Sequence, residues 1–202
     1  LREAREAVLA EGLKAAGPEA DAVKALFAAL SDHQIEAAIA QCLASARKLG
    51  PVLADPARSV AAMRANLGLK PGETRASLDA EIVGGMLVPA AAWPAVFSIC
   101  PPDPDKTRFE DRLFRLDPLR PDPDGLFSAY LTADGRVPAR FPKAEFFKND
   151  PGLAERLAAE AERLAGLHDK RRALAIAEKT EALALVLAAI VRRYEAQKRA
   201  RS

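Results

Sequence analysis

Aromatic residues make up only 5% of this 202-residue chain, and β-branched residues are sparse among its apolar positions. Sheets draw on those residue types, so a sheet-rich fold is excluded; an apolar half dominated by Ala and Leu predicts an all-α protein. Cysteine is almost missing. Cys42 and Cys100 lie far apart in apolar segments with no paired-Cys or Cys-His spacing, which excludes a disulfide framework or a zinc site. They predict buried thiols in a reducing, cytoplasmic setting. Long hydrophobic runs are missing too: the uncharged stretch 84–100 is short, carries Pro89 and Pro94 and lacks basic flanks. It predicts a pair of short buried helical segments and no membrane partner. A net charge of +2 selects no partner by itself, so the placement of charge has to be read instead.

Catalytic groups that could converge are equally scarce. No Gly-rich loop ends in Lys-Ser or Lys-Thr, so no phosphate cradle for a nucleotide is present, and Gly84-Gly85 does not make one. His33 adjoins Ser31 and Asp32 in sequence, whereas a triad gathers its members from separate elements. His168 is expected in the last turn of its helix, where an imidazole suits the dipole. Glu155, Glu160 and Glu162 are expected on a solvated helix face beside Arg156 and Arg163. Asp103, Asp105, Asp122 and Asp124 alternate with prolines and suit turns, and no EF-hand spacing surrounds them. No catalytic, cofactor-binding or metal-ligating residue is therefore assigned.

The helices can be placed by their breaks and caps. Gly17 and Pro18 end a first helix; a second spans 19–30; Ser31 and Gln34 form a capping box for a third, expected to run to Gly50 and Pro51. Pro56 opens a fourth that stops at Gly68, and a Pro-Gly turn at Pro71 and Gly72 leads to a fifth over 75–86. Residues 101–125 form a Pro- and Asp-rich loop region around one amphipathic island, 108–116. The only non-helical candidate is a short hairpin near 129–139, turning at Asp134-Gly135 and weakened by Pro138. Asn149 and Asp150 before Pro151 start a helix with Leu153, Leu157, Ala161 and Leu164 buried. A break over 166–169 then precedes a last helix bearing Ile176, Leu183, Leu187, Ile190 and Tyr194 on one stripe. That helix has no stop signal before Ser202, and Leu1 opens directly on helical sequence, so the chain is expected to be one excised helical domain, 1–202.

Charge placement carries the functional signal. Arg136, Arg140, Lys143 and Lys148 face a single acid, Glu145, with Phe141, Phe146 and Phe147 among them. Cations interleaved with rings suit a nucleic-acid surface, where cations meet phosphate and rings stack. The competing reading is that the rings anchor the core and the charges form a solvated rim. Lys170, Arg171 and Arg172 are expected to open the last helix, against its dipole, so an anionic partner or a neighbouring acidic surface is needed to explain them. The cations at its far end, Arg192 to Arg201, have a structural reason to be there.

Leu131-Thr132-Ala133-Asp134-Gly135, the basic stretch with Lys143, Pro151-Gly152-Leu153, the Glu-rich helix and the helix ending Tyr194-Glu195-Ala196-Gln197-Lys198 together resemble the UvrD-like helicases, most closely their AddA helicase-nuclease subunits. Residues 31–49 and 67–74 are similar to the corresponding upstream region; the Pro-rich middle matches poorly. The resemblance implies the accessory 1B subdomain of the first motor domain, contacting duplex or forked DNA in double-strand-break repair. It further implies a parent enzyme that uses ATP and Mg²⁺, carries an exonuclease and works with an AddB-type subunit, while this chain alone is no enzyme. None of the family's ATP-binding or nuclease residues maps onto it. The alternative from another class is a helical protein-interaction or structural module that binds no DNA.

Overall fold

The structure, a computed structural model, describes residues 1–103, 105–143 and 145–201. Pro104 of the Pro-rich region and the terminal Ser202 lie outside the described residues. The fold is all-α and irregular, with no strand among the described residues. It comprises two compact units, Leu1–Pro71 with Ala173–Ser202, and Gly72–Arg172.

In the first unit, α1 (Arg2–Lys14) ends ahead of Gly17, whose φ of 110° lets the chain turn into α2 (Pro18–Ala29). Close approach of α1 and α2 needs Gly12: a Cβ there would lie 2.6 Å from the Val23 side chain. The predicted box opens α3 (Asp32–Ala44), with the Ser31 N–H donating to Gln34 Oε1 at 2.9 Å. Contrary to expectation, α3 stops at Ala44, and α4 (Ala46–Ala54) runs through Gly50 and Pro51. The chain bends at Ser45 instead, and α4 gives up one internal hydrogen bond at Pro51, a loss a short helix tolerates. Asp55 caps α5 (Pro56–Asn66) by accepting from the Arg58 N–H at 3.0 Å. Its far end is a Schellman motif: Gly68 has φ 72°, its N–H donates to the Ala65 carbonyl, and the Leu69 N–H donates to that of Arg64. Val23, Leu26, Ile35 and Ile39 meet Val186, Leu187 and Ile190 of α10 (Pro151–Ala200) in the core. The expected stripe on α10 is only partly the buried one. Ile176 and Tyr194 are exposed, whereas Ala177 and Ala182 are buried, because alanine fits where helices approach closely and leaves little trace in a Leu/Ile pattern.

In the second unit, Thr74 and Ser77 cap each other's N–H groups at the start of α6 (Arg75–Gly84). A 3₁₀ turn at Ala90–Ala92 leads into α7 (Trp93–Ile99), the pair of short segments expected for this uncharged stretch. Buried Trp93 gives its indole N–H to the Val88 carbonyl at 3.3 Å. The island becomes α8 (Phe109–Phe114). The Pro-rich region also yields a core helix, which the sequence reading lacks: α9 (Pro123–Tyr130) buries Leu126, Phe127, Ala129 and Tyr130. Asp122 caps it by accepting the Gly125 N–H at 2.7 Å, and Pro123 takes the first helical position. Asp-Pro serves a turn or a helix start equally well. No hairpin forms near 129–139 among the described residues, since α9 takes the would-be first strand; only the turn remains, with the Gly135 N–H on the Thr132 carbonyl at 2.8 Å.

Asp150 caps α10 by accepting the Leu153 N–H at 2.9 Å, and the stripe Leu153, Leu157, Ala161 and Leu164 is buried as expected. The expected break over 166–169 is absent, and α10 is one helix of 50 residues. A glycine costs a helix only about 1 kcal/mol, less than burial of Leu164, Leu167 and Leu174 contributes. His168 is thus mid-helix, not in a last turn, and so are Lys170, Arg171 and Arg172. Glu160, expected in solvent, is 1% exposed: it accepts the Leu87 N–H at 3.0 Å and two bonds from Arg163, at 2.8 and 2.7 Å. No helix among the described residues is long and apolar enough to cross a membrane.

A Cβ on Gly166 would meet open space, and its backbone is helical. Gly166→Ala is therefore expected to stabilise the protein by about 0.5–1 kcal/mol in urea denaturation. A chain that broke there would be destabilised by the same change.

Candidate nucleic-acid interface

The two predicted cation groups fare differently. Lys170 reaches Glu73 at 2.6 Å, and Arg171, only 8% exposed, reaches Asp124 at 2.7 Å and Asp79 at 3.3 Å. The Arg171 guanidinium also lies over the Phe127 ring, 5.6 Å from its centroid. The neighbouring acidic surface invoked for this cluster is supplied by the unit itself. Mid-helix placement removes the conflict with the dipole. Arg172 differs from both: it is exposed and has no ion pair among the described residues.

The described residues of the segment 136–148 form no helix, and two rings, one buried and one partly buried, hold it down. Phe141 packs edge-on against Phe109, with centroids 4.8 Å apart, and Phe147 is 4% exposed. For those two the competing reading, rings as anchors, is correct. Phe146 points outward, with Lys143 Nζ 5.8 Å from its ring centroid. Arg136, Arg140, Lys143 and Lys148 are all exposed. Arg140 sits at φ 64°, a left-handed conformation that costs a residue with a Cβ about 1 kcal/mol. A cavity of about 220 Å³ opens between this segment and α8, with Phe109, Phe141 and Phe147 in its walls and Arg140 and Lys143 at its edge. Cys100 also lines it, and burial pushes its thiol pKa up.

The far wall is built from the loop before α8. Asp111, 2% exposed, accepts the backbone N–H groups of Asp103 at 2.6 Å and Arg108 at 2.9 Å, and the Arg108 Nε–H at 3.3 Å. Burial alone would raise its carboxyl pKa; these donors and the Arg108 charge outweigh it and hold the group below the ordinary aspartate value. The other acids of this region order loops, as their spacing suggests: Asp103 accepts from the Asp105 N–H, and Asp117 from that of Leu119. No cluster among the described residues could hold a metal ion.

A second depression brings together two cations that are 36 positions apart in sequence: Arg136 and Arg172 line it with Asp134 and His168. Between the two cavities lies a third, lined by Arg112, Thr132, Gly135 and His168 among others. Arg112 also lines the aromatic cavity, so the three are linked through shared residues. Gly135 permits the contact, since at φ 78° a Cβ would lie 2.2 Å from His168 Nδ1. Lys148 lines none of the three. The sequence reading missed Arg112 and placed His168 elsewhere. The only local hint for Arg112 is its position three residues after Phe109, which puts it beside that ring on α8.

The chain matches no protein-family model, no curated protein and no solved structure.

Because its pKa is lowered on folding, Asp111 stabilises the unit above the ordinary aspartate pKa, and this contribution is lost as pH falls through its folded value. Asp111→Asn is expected to cost about 1–3 kcal/mol at neutral pH, read from urea unfolding by the fluorescence of the sole tryptophan, Trp93. The gap between variant and parent should close in acid.

Proposed function

We propose that this chain is a DNA-contacting accessory module of the 1B type, belonging to a UvrD-like helicase-nuclease subunit of the AddA kind. The observation that carries the reading is the convergence of cations without ion pairs beside an outward ring. Arg192 pairs with Glu19, Arg193 with Glu11 at 2.5 Å and Arg201 with Glu3 at 3.0 Å, while Lys170 and Arg171 pair with Glu73, Asp79 and Asp124. Arg136, Arg140, Lys143 and Arg172 have no such carboxylate among the described residues and stand exposed around cavities with an outward ring. Unpaired cations gathered beside a ring are what a polyanion with stackable bases requires. The sequence resemblance supplies the rest of the reading: DNA at a duplex or fork, an ATP- and Mg²⁺-dependent motor and exonuclease in the parent, and an AddB-type partner in the cytoplasm.

Fluorescence anisotropy with labelled duplex and forked DNA tests it. Binding is expected at low salt and should weaken steeply as salt rises. Combined replacement of Arg136, Arg140, Lys143 and Arg172 by Ala should weaken binding more than tenfold and flatten the log-log salt slope by roughly one unit for each phosphate contact removed. Unchanged affinity in that variant would refute the assigned surface. Absence of binding at low salt would favour the protein-interaction module instead.

A further inference from the structure

We infer that the aromatic cavity seats one unstacked base of a single DNA strand, whose phosphates pass from Lys143 and Arg140 by Arg112 to Arg136 and Arg172. This rests on the DNA-binding reading above and adds to it the kind of DNA and the direction of its path.

Three observations carry it. The cavity is walled by rings, Phe109, Phe141 and Phe147, with Phe146 at its mouth. The rings themselves offer nothing to a phosphate and match the flat apolar face of a base, which a paired and stacked duplex does not present. Arg108, Arg140 and Lys143, all exposed, and the half-buried Arg112 line the same cavity. That division of labour suits a nucleotide entering base first with its phosphate left in solvent.

The second observation is continuity. Arg112 lines both the aromatic and the middle cavity, and His168 lines both the middle and the Arg136–Arg172 depression. A strand leaving the base pocket thus meets at least one cation in each of the three linked cavities. Arg112 adds a guanidinium whose buried Nε–H has no acceptor among the described residues. The acids on this route are Glu110, tied to Arg108 at 3.1 Å, and Asp134.

The third is Arg140. Its left-handed backbone has an energetic cost, and its exposed side chain makes no ion pair among the described residues to offset it. At the rim of the pocket the conformation holds a cation where the first phosphate would lie.

The test compares three labelled probes on the full 202-residue chain: a thymidylate oligonucleotide, the same length with abasic residues, and a hairpin duplex. Phe146 is substantially exposed, so Phe146→Ala should fold, which circular dichroism checks. The thymidylate strand is expected to bind more tightly than the abasic strand or the duplex. Phe146→Ala should weaken the thymidylate strand at least about fivefold and leave the other two unchanged. Arg172→Ala should weaken thymidylate and abasic strands alike. Equal losses on thymidylate and abasic strands in Phe146→Ala, or a preference for duplex with Phe146→Ala silent, would overturn the base pocket and leave the DNA-binding reading intact. No salt-dependent binding to any probe would overturn both.

Discussion

Glu160 and Arg163 form the contact on which the second unit turns. A carboxylate can be buried among leucines only if its lone pairs are met, and here the Leu87 N–H and the Arg163 guanidinium meet them. Arg163 also donates to the carbonyls of Glu81 and Ile82, at 3.3 and 2.9 Å, in the last turn of α6, where the Glu81 carbonyl already accepts the Gly85 N–H. One ion pair thereby satisfies a helix terminus and a turn together. Gly85 belongs to the same device, because a Cβ there would lie 2.9 Å from the Glu81 carbonyl and 3.1 Å from Arg163. With Leu87 held, Val88 enters the core, and its carbonyl receives the Trp93 indole. The path of the whole uncharged stretch follows.

Buried charge elsewhere is used with the same economy. Arg171 is buried, and leaving it unpaired would cost several kcal/mol, so two carboxylates and the face of Phe127 surround it. Exposed cations need no such provision, because water screens them. Exposure alone would therefore leave Arg136 or Arg172 without significance. What distinguishes them is convergence: side chains from the 132–136 turn and from α10 line one depression.

Local signals in the sequence were legible at several helix starts, though not at Asp122-Pro123, where the same residues suit a turn. Ser31 with Gln34, Pro56 at a first turn, and Asp150 with Pro151 mark helix starts because these signals need only residues within one turn. The Gly68 stop is legible for the same reason. Burial of Glu160 was not, since its partner Leu87 lies 73 positions away. Nor was the continuity of α10 through Gly166, which depends on what Leu164, Leu167 and Lys170 meet in the folded unit. At the candidate site, the cations of 136–148 stand out by composition, but which of Phe141, Phe146 and Phe147 faces outward depends on the core beneath them. Arg112 and His168 come from separate helices and become neighbours of the site only through folding.

The backbone between Arg136 and Lys148 explains why the site can sit on a segment without regular structure. A loop is ordinarily a poor platform for a stacking ring, because ordering it on binding costs conformational entropy. Here Phe147 is already buried and Phe141 partly so, so much of that cost falls on folding and not on ligand capture. Phe146 and Phe147 are adjacent, and burying the second turns the first outward. The core therefore orients the ring at the mouth of the pocket. Electrostatic attraction to those cations fades as salt rises, whereas contact between a ring and a base does not. A surface that combines the two can gather a strand through its charges and retain it through its aromatic pocket.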